Sequence, residues 1–153
     1  MTTPEGARAP RWLKQVNKLL IVLLRLGVPI SRKESPVVLT APGRKTGKPR
    51  STPITPMLVD GLRYVVNGYP GADWVGNVRA AEHVTLTQGR RAEQVRMVEL
   101  GPDDARPVLR EFPALVPTGV DLMKRAGVLQ TGTPEELEGM AGRLVVFRIE
   151  PVT

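Results

Sequence analysis

The sequence predicts an α+β fold, in which about six antiparallel strands close into a barrel with helices around it. Residues 37–99 alternate short β-branched runs with turn signals, whereas the last third of the chain is mostly helical and ends in an apolar strand. Strands and helices that are segregated along a chain are typical of this class. With 153 residues, 41% of them hydrophobic, the chain can form one domain with its own core.

The strand pattern begins with the β-branched run 37–41 and continues through two hairpins. Asp60-Gly61 is a strong two-residue hairpin signal. Pro53 and Pro56 predict that the second strand lies at a sheet edge or carries a bulge, because proline has no N–H to donate. The predicted strands are 37–41, 51–59, 62–67, 83–87, 91–99 and 143–150.

Helices are predicted before, between and after these strands. Asp73 is a candidate N-cap for a short helix over 74–81. A helix over 102–112 follows a Gly-Pro pair, and Pro107 weakens its middle. Thr133, followed by Pro134 and by a glutamate three positions on, is a strong helix start.

The N-terminal segment divides into a disordered tail, 1–10, and an amphipathic helix, 11–28, ahead of a barrel domain, 30–153. Basic residues follow one face of this helix and apolar residues follow the rest: Arg11, Lys14, Lys18 and Arg25 against Trp12, Val16, Leu19, Leu20, Leu23 and Leu24. The apolar run 19–24 is too short to span a membrane, and no secretory cleavage site follows it. The helix therefore either packs against the barrel or a cofactor site, or lies on anionic lipid at the inner face of the plasma membrane. The expected location is the cytoplasm.

Charge and composition narrow the classes of partner. The net charge is +7, but residues 1–50 carry eleven Lys and Arg against Glu5 and Glu34, and residues 51–153 are net negative. This asymmetry indicates an anionic partner for the first third: a phosphate, an acidic cofactor tail or a membrane surface. Nucleic acid is disfavoured, because only six residues are aromatic and none interleaves with the basic cluster. Without cysteine, and with His83 as the single histidine, no metal site is predicted.

The densest basic cluster lies in the turn after the first strand, within the run Gly-Arg-Lys-Thr-Gly-Lys-Pro-Arg at 43–50. Its glycines let the backbone bend and approach a ligand, and its four cations suit a phosphate group. A solvated basic hairpin is the alternative interpretation. A second candidate is the glycine-containing segment 68–77, where a loop leads into a helix and offers Trp74 as a wall for a flat ring.

In this order the two segments carry a resemblance to a known family. The run at 43–50, then Pro53, the stretch Gly-Leu-Arg-Tyr-Val-Val at 61–66, and Trp74 with Asn77 resemble the deazaflavin-dependent nitroreductase and quinone reductase family. Its members are actinobacterial split-barrel oxidoreductases that use the deazaflavin coenzyme F-420. The resemblance covers residues 30–100 well and the rest loosely.

The resemblance implies a split β-barrel like that of the flavin-mononucleotide-binding oxidoreductases. It implies that the coenzyme, with its phosphate and acidic tail, is bound by Arg44, Lys45, Thr46, Gly47, Lys48, Arg50, Pro53, Ile54, Thr55, Val66, Asn67, Gly68, Tyr69, Trp74 and Asn77. The coenzyme would deliver a hydride to an enone, quinone, unsaturated lipid or nitro compound. Tyr69 is the candidate proton donor, with solvent as the alternative.

Two departures from the family pattern bear on the substrate. The loop at 68–73 is shorter than in the best-known members, and the C-terminal third contains no tyrosine. Apolar residues would form the substrate wall instead, and this favours an apolar substrate: Val116, Val120, Leu122, Met123, Val128 and Leu129.

Other functions stay open on this sequence. One is a split barrel that binds a fatty acid or another lipid and has little redox activity. Another is a flavin-mononucleotide (FMN) enzyme, which four cations in one turn disfavour because that cofactor has no acidic tail. A homodimer is also compatible, because split barrels often pair.

Overall fold

The computed structural model of the chain describes residues 11–25, 36–69 and 71–152, and within the first helix only the side chains of 15–22. The predicted tail 1–10 therefore lies outside the described residues. The helices are α1 (Arg11–Arg25), α2 (Asp73–Ala80), α3 (Pro102–Leu115), α4 (Pro117–Arg125) and α5 (Pro134–Gly139). The strands are β1 (Val37–Pro42), β2 (Pro49–Ile54), β3 (Met57–Val59), β4 (Leu62–Val66), β5 (Val84–Gln88), β6 (Arg91–Glu99) and β7 (Val146–Pro151).

The described strands form one curled antiparallel sheet in the order β2-β1-β5-β6-β7-β4-β3. The α+β split-barrel prediction is confirmed, with seven strands in the described part of the chain rather than about six. The additional strand arises because the predicted strand 51–59 is interrupted at Thr55 and Pro56. Both halves of it, β2 and β3, are edge strands, as their prolines predict.

The hairpin predicted at Asp60-Gly61 is confirmed. Asp60 and Gly61 have φ values of 50° and 80°, the left-handed conformation that a tight hairpin needs. This turn sets the register of β3 against β4, in which Val59 lies opposite Leu62. On its other side β4 pairs with β7, so Val65 lies opposite Phe147.

Two apolar cores lie on opposite faces of the sheet, because neighbouring residues of a strand point to opposite sides. Val65 and Phe147 belong to the barrel core, whereas the adjacent Val66 and Val146 pack in the helical core. The barrel core joins the strands to one face of α2: Val37, Leu39, Ala41, Ile54, Val65, Val75, Val78, Val84, Leu86, Val95, Phe147 and Ile149. The helical core joins β3 and β7 to α3, α4 and α5: Met57, Ala105, Val108, Leu109, Phe112, Val116, Val120, Met123, Val128, Leu129, Leu137, Met140, Leu144 and Val146.

The helix ends show which of the predicted caps and helix bounds are correct. Thr133 caps α5, since its hydroxyl accepts a hydrogen bond from the Glu136 amide at 3.2 Å, as predicted. Asp73 is not the N-cap of α2. It is the first helical residue, and Ala72 occupies the cap position without a side-chain hydrogen bond. The helix predicted over 102–112 continues to Leu115 through two prolines, because its buried face packs in the helical core.

The first helix packs against β2, β1 and β5. Its described side chains include three exposed apolar ones, Val16, Leu19 and Val22. The helix thus lies beside the sheet, and part of its described apolar surface faces outward, so that both alternatives stay predictions. None of the described helices is long and apolar enough to cross a bilayer.

Candidate functional site

The turn between β1 and β2 is closed by its own backbone. The Gly43 amide donates to the Lys48 carbonyl and the Gly47 amide to the Gly43 carbonyl, each at 2.8 Å. A Cβ on Gly43 would lie 3.2 Å from the Lys48 oxygen, and Gly47 has a φ of 73°. Both glycines are therefore needed to form this compact turn. The basic side chains of the turn and of the start of β2 are exposed.

Arg44 differs from the other cations, because it binds α2. Its backbone amide and its Nη1 both donate to the Asn77 Oδ1, at 3.1 and 2.9 Å. The guanidinium also donates to the Asp73 carbonyl at 3.1 Å and forms a 3.3 Å ion pair with the Asp73 carboxylate. Asn77 is only 6% exposed, so the interaction anchors the turn to a buried side chain. The two motifs that carry the family resemblance are thus in direct contact.

Gly76 makes this contact possible. A Cβ at this position would lie 2.9 Å from the Arg44 Cζ and 3.0 Å from its Nε. No side chain fits there without displacing the guanidinium. The sequence analysis did not single out Gly76, because its role depends on a residue 32 positions earlier in the chain.

The remaining cations of the turn, Lys45, Lys48 and Arg50, are exposed. Within the described part of the chain, no carboxylate forms an ion pair with any of them. No described side chain neutralises their charges, so these cations could bind an anion from solution. Thr46 stays within the turn, where its hydroxyl accepts a 3.3 Å hydrogen bond from the Lys48 amide.

The residues predicted to border a ring occupy two different environments. Pro53 and Thr55 are half-buried at the end of β2, and Ile54 between them is buried in the barrel core. Trp74 packs against the same core, with its ring centroid 5.8 Å from that of Phe147. Ile54 and Trp74 therefore lie on the barrel side of the sheet, whereas Pro53, the neighbour of Ile54 in β2, points to the opposite face.

The β4–α2 loop begins with a local turn that holds Asn67. Its side-chain amide donates to the Tyr69 carbonyl at 2.6 Å, and its Oδ1 accepts from the Tyr69 amide at 3.2 Å. Gly68 lies against α4, since a Cβ there would be 3.1 Å from the Met123 Cγ. The loop is therefore attached to the helical core at this point.

Tyr69 packs against the helical core rather than the barrel core. Its hydroxyl is buried, and no described residue accepts or donates a hydrogen bond to it. Burial raises the pKa of the phenol above its ordinary value of 10.0, so it keeps its proton at neutral pH. Tyr69 and Trp74 thus lie on opposite sides of the loop that connects β4 to α2.

The apolar wall predicted from the C-terminal third is largely core. Val116, Val120, Met123, Val128 and Leu129 are all buried in the helical core, and Leu122 is half-buried. Tyr69 packs against the cluster to which the buried ones belong. The sequence could identify these residues as apolar, but not that they would pack against one another.

A cleft of about 280 Å³ opens between α2, the β1–β2 turn and the ends of β4 and β7. It is lined by Arg44, Asn67, Gly71, Ala72, Val75, Gly76, Arg79, Arg143 and Val145. Arg79 and Arg143 were not among the predicted site residues. Nothing in the local sequence distinguishes them from other surface arginines.

Comparisons with known proteins agree with this architecture. A protein described as a domain-swapped dimer shares 22% identity, with a TM-score of 0.53, over 91% of this chain and 97% of that one. An F420-H2-dependent reductase shares 20% identity, with a TM-score of 0.50, over 76% of this chain and 94% of that one. A FAD-binding protein from Mesorhizobium loti shares 16% identity, with a TM-score of 0.50, over 88% and 89%. At such identities these similarities establish the split-barrel fold.

The family assignment comes from the sequence itself. No curated protein matches the chain. Residues 22–127, more than two thirds of the chain, match the model of the F420H2-dependent quinone reductases. This range contains β1 to β6, the β1–β2 turn and α2. The chain therefore belongs to the F420H2-dependent quinone reductase family, whose members are deazaflavin-dependent oxidoreductases.

Proposed function

We propose that this enzyme uses reduced coenzyme F-420 to reduce an apolar, conjugated substrate, such as an enone, a quinone, an unsaturated lipid or a nitro compound. The bound coenzyme supplies the hydride, and the protein supplies binding, orientation and the exclusion of water. One observation carries this proposal. Lys45, Lys48 and Arg50 are exposed without a described carboxylate partner, on a turn that Arg44 clamps to α2.

These residues fit an anionic coenzyme by the chemistry of their donors. Lysine and arginine side chains bind phosphate and carboxylate oxygens through charge-assisted hydrogen bonds. Arg44 serves mainly to position the turn, because Asp73 and Asn77 already occupy its guanidinium. Lys45, Lys48 and Arg50, with Thr46 and Gly47, would then hold the phosphate and the acidic tail.

The ring would lie where the barrel core meets the β4–α2 loop. Pro53, Ile54 and Thr55 would border it from β2, and Val66, Asn67, Gly68 and Trp74 from the other side. Trp74 is held by its contact with Phe147, which makes it a rigid wall. Asn77 would act indirectly, through the hydrogen bonds that orient Arg44.

Tyr69 is the proposed proton donor to the reduced substrate. Its phenol keeps its proton at neutral pH, and no described residue competes for it. The apolar helical core against which it packs favours an apolar substrate at this position. Solvent is the competing proton source.

A fluorescence titration with oxidised coenzyme F-420, and with flavin mononucleotide in parallel, tests the proposal. We expect the deazaflavin alone to bind with micromolar or tighter affinity. The double variant Arg44→Ala/Lys45→Ala should lose roughly 2–4 kcal/mol of binding free energy, the scale of lost charge-assisted bonds. The matched control is Arg90→Ala/Arg91→Ala, which removes two exposed arginines from the β5–β6 hairpin and should bind normally.

The other outcomes of this titration point to the competing functions. Equal affinity of the double variant and the wild type would remove the turn from the site. Binding of flavin mononucleotide in preference to the deazaflavin would favour an FMN enzyme. If neither binds, a lipid-binding barrel with little redox activity becomes the better hypothesis, and solvent extraction of the purified protein should release a fatty acid or another lipid.

The exposed apolar residues of α1 favour an addition to the proposed function, which is peripheral binding to a membrane. Val16, Leu19 and Val22 are exposed at helical spacing beside the exposed Lys18, a pattern suited to peripheral contact with anionic lipid at the cytoplasmic face of the membrane. Deleting residues 1–28 should then reduce co-sedimentation with anionic vesicles and leave turnover of a water-soluble substrate intact. Persistent vesicle binding by the truncated protein would contradict this addition.

Homodimer formation is a further part of the proposal. A structural neighbour is described as a domain-swapped dimer, and both sheet edges of this chain, β2 and β3, lack a partner strand within the described sheet. Light scattering after size-exclusion chromatography should give twice the monomer mass. A mass of 16.7 kDa would contradict a dimer.

A further inference from the structure

The cleft beside α2 is lined by three arginines that come from separate parts of the chain. Arg44 belongs to the β1–β2 turn, Arg79 to the last turn of α2, and Arg143 to the segment before β7. No aspartate or glutamate is among its described lining residues. The other lining residues are small or apolar, except for the buried amide Asn67: Asn67, Gly71, Ala72, Val75, Gly76 and Val145.

The three arginines differ in how far their charges are neutralised. Arg44 pairs with Asp73, whose side chain is 89% exposed, and Arg79 makes a two-point ion pair with Glu99 at 2.7 and 2.8 Å. Arg143 is exposed, and no carboxylate in the described ranges pairs with it. Among the described residues, nothing therefore neutralises the charge of Arg143 at the cleft, and this charge would attract an anion.

The backbone holds Arg143 in place. Its amide donates to the Met140 carbonyl at 2.9 Å, and the next amide, of Leu144, donates to the same oxygen at 2.9 Å. Gly142, immediately before it, has a φ of 89°. A tight turn thus fixes the backbone from which the Arg143 side chain reaches the cleft, and this lowers part of the cost of ordering a binding site.

We propose that this arginine cleft is a second anion-binding site, which accepts a phosphate or carboxylate group with Arg143 as its principal ligand. The cleft is separate from the exposed cations Lys45, Lys48 and Arg50, none of which lines it. Arg44 belongs to both, since it lines the cleft and anchors the turn. Arg44 and Arg79 also line the cleft, and each of them already has a carboxylate partner.

Inorganic phosphate is the probe that tests the site without any coenzyme. We would titrate the full chain at constant ionic strength and follow the arginine Nε–H signals by NMR. The Arg143 signal should shift saturably, and Arg143→Gln should weaken phosphate binding about tenfold, with Arg143→Lys recovering part of the affinity. Arg90→Gln, which removes an exposed arginine of the β5–β6 hairpin, should bind as the wild type does. Equal affinity of the two glutamine variants would overturn the proposal.

A second experiment identifies the source of the anion, and only this experiment rests on the proposed function. If the group belongs to the coenzyme, phosphate should compete with coenzyme F-420, and Arg143→Gln should weaken the coenzyme but not its ring-bearing fragment without phosphate and tail. If the group is a separate small anion, phosphate and coenzyme should bind together, and Arg143→Gln should leave coenzyme affinity unchanged. A protein that binds no coenzyme would refute the proposed function, while the phosphate titration would still decide the cleft.

Discussion

The two sides of the loop that joins β4 to α2 are built by different forces. On one side Tyr69 packs among the buried apolar residues of the helical core, and its hydroxyl has no described partner. On the other side Arg44 lies at the surface and is held by hydrogen bonds and an exposed ion pair. Tyr69, in an apolar and closed environment, lies only four positions before Asp73, the exposed ion-pair partner of Arg44.

The apolar side of the loop mainly contributes to stability, and the polar side mainly contributes to ligand recognition. Apolar burial contributes free energy in proportion to area and without direction, so the helical core can hold the loop but cannot fix the orientation of a ligand. The arginine network contributes little to stability, because its ion pair is solvated. It does place charges at defined positions, and defined positions are what an anionic coenzyme needs.

The largest expected effect comes from the apolar side. Leu109 is fully buried in the helical core, and Leu109→Ala should lower the free energy of unfolding by about 2–5 kcal/mol, through lost burial and the cavity left behind. Chemical denaturation measures this loss. Coenzyme affinity of the folded variant should be close to that of the wild type, because Leu109 lies in the helical core and belongs neither to the β1–β2 turn nor to the arginine cleft.

Arg44→Ala changes the polar side of the loop and, in contrast to Leu109→Ala, should lower coenzyme affinity more than it lowers stability. We expect a stability loss of about 1 kcal/mol, because the pair with Asp73 is exposed and water can reach the turn. The loss of coenzyme affinity should be larger, since the turn is no longer anchored to Asn77. If Arg44→Ala destabilised the fold as much as Leu109→Ala, the division between the two sides would be wrong.

A smaller effect is expected from one methyl group on α2. Gly76→Ala would place a Cβ 2.9 Å from the Arg44 Cζ and so displace the guanidinium from Asn77. Coenzyme binding should weaken by about 1 kcal/mol, a several-fold change, while stability changes by less than about 1 kcal/mol because alanine favours the helix. Fluorescence titration measures the change in coenzyme affinity, and urea unfolding in parallel measures the change in stability.

Gly139→Ala is the matched control for this methyl group. It adds the same group to α5 at a position where nothing lies within 4 Å. Both its coenzyme affinity and its stability should stay close to those of the wild type. Weakened binding in Gly139→Ala would show that the loss in Gly76→Ala is not caused by the displacement of Arg44.

The sequence predicts features that depend on neighbouring residues better than contacts between residues that are far apart in the chain. The Asp60-Gly61 hairpin and the Thr133 cap depend on residues within a few positions, and both are confirmed. The contact of Arg44 with Asn77 joins residues 33 apart, so no local pattern could have revealed it. For the same reason Asp73 was assigned to a helix cap, whereas in the structure its carboxylate pairs with Arg44.

The candidate site shows the same limit. The family motif identified the basic turn and Trp74, because the spacing of those residues is visible along the chain. Arg79 and Arg143 reach the cleft only through the packing of α2 and the turn before β7. A residue whose role depends on tertiary packing has no signature of its own in a single sequence.

The smallest expected effect on stability comes from Tyr69 itself. Tyr69→Phe removes a buried hydroxyl that has no described partner, so stability at neutral pH should stay the same or rise by up to about 1 kcal/mol. Burial raises the pKa of this phenol above 10.0, so the folded state retains the proton that the unfolded state loses. Its contribution to wild-type stability is therefore complete below about pH 10 and is lost as the pH rises further.

Urea unfolding above and below about pH 10 should show this dependence as a smaller alkaline loss of stability in Tyr69→Phe. Tyr64→Phe removes the other tyrosine hydroxyl of the chain. Because Tyr69 is unchanged in this variant, the variant should still show the loss of stability at alkaline pH that Tyr69 causes. If turnover falls in Tyr69→Phe while stability holds, the hydroxyl is kept unpartnered because it donates to the substrate. Unchanged turnover would assign the proton to solvent and leave Tyr69 as a packing residue on the apolar side of the loop.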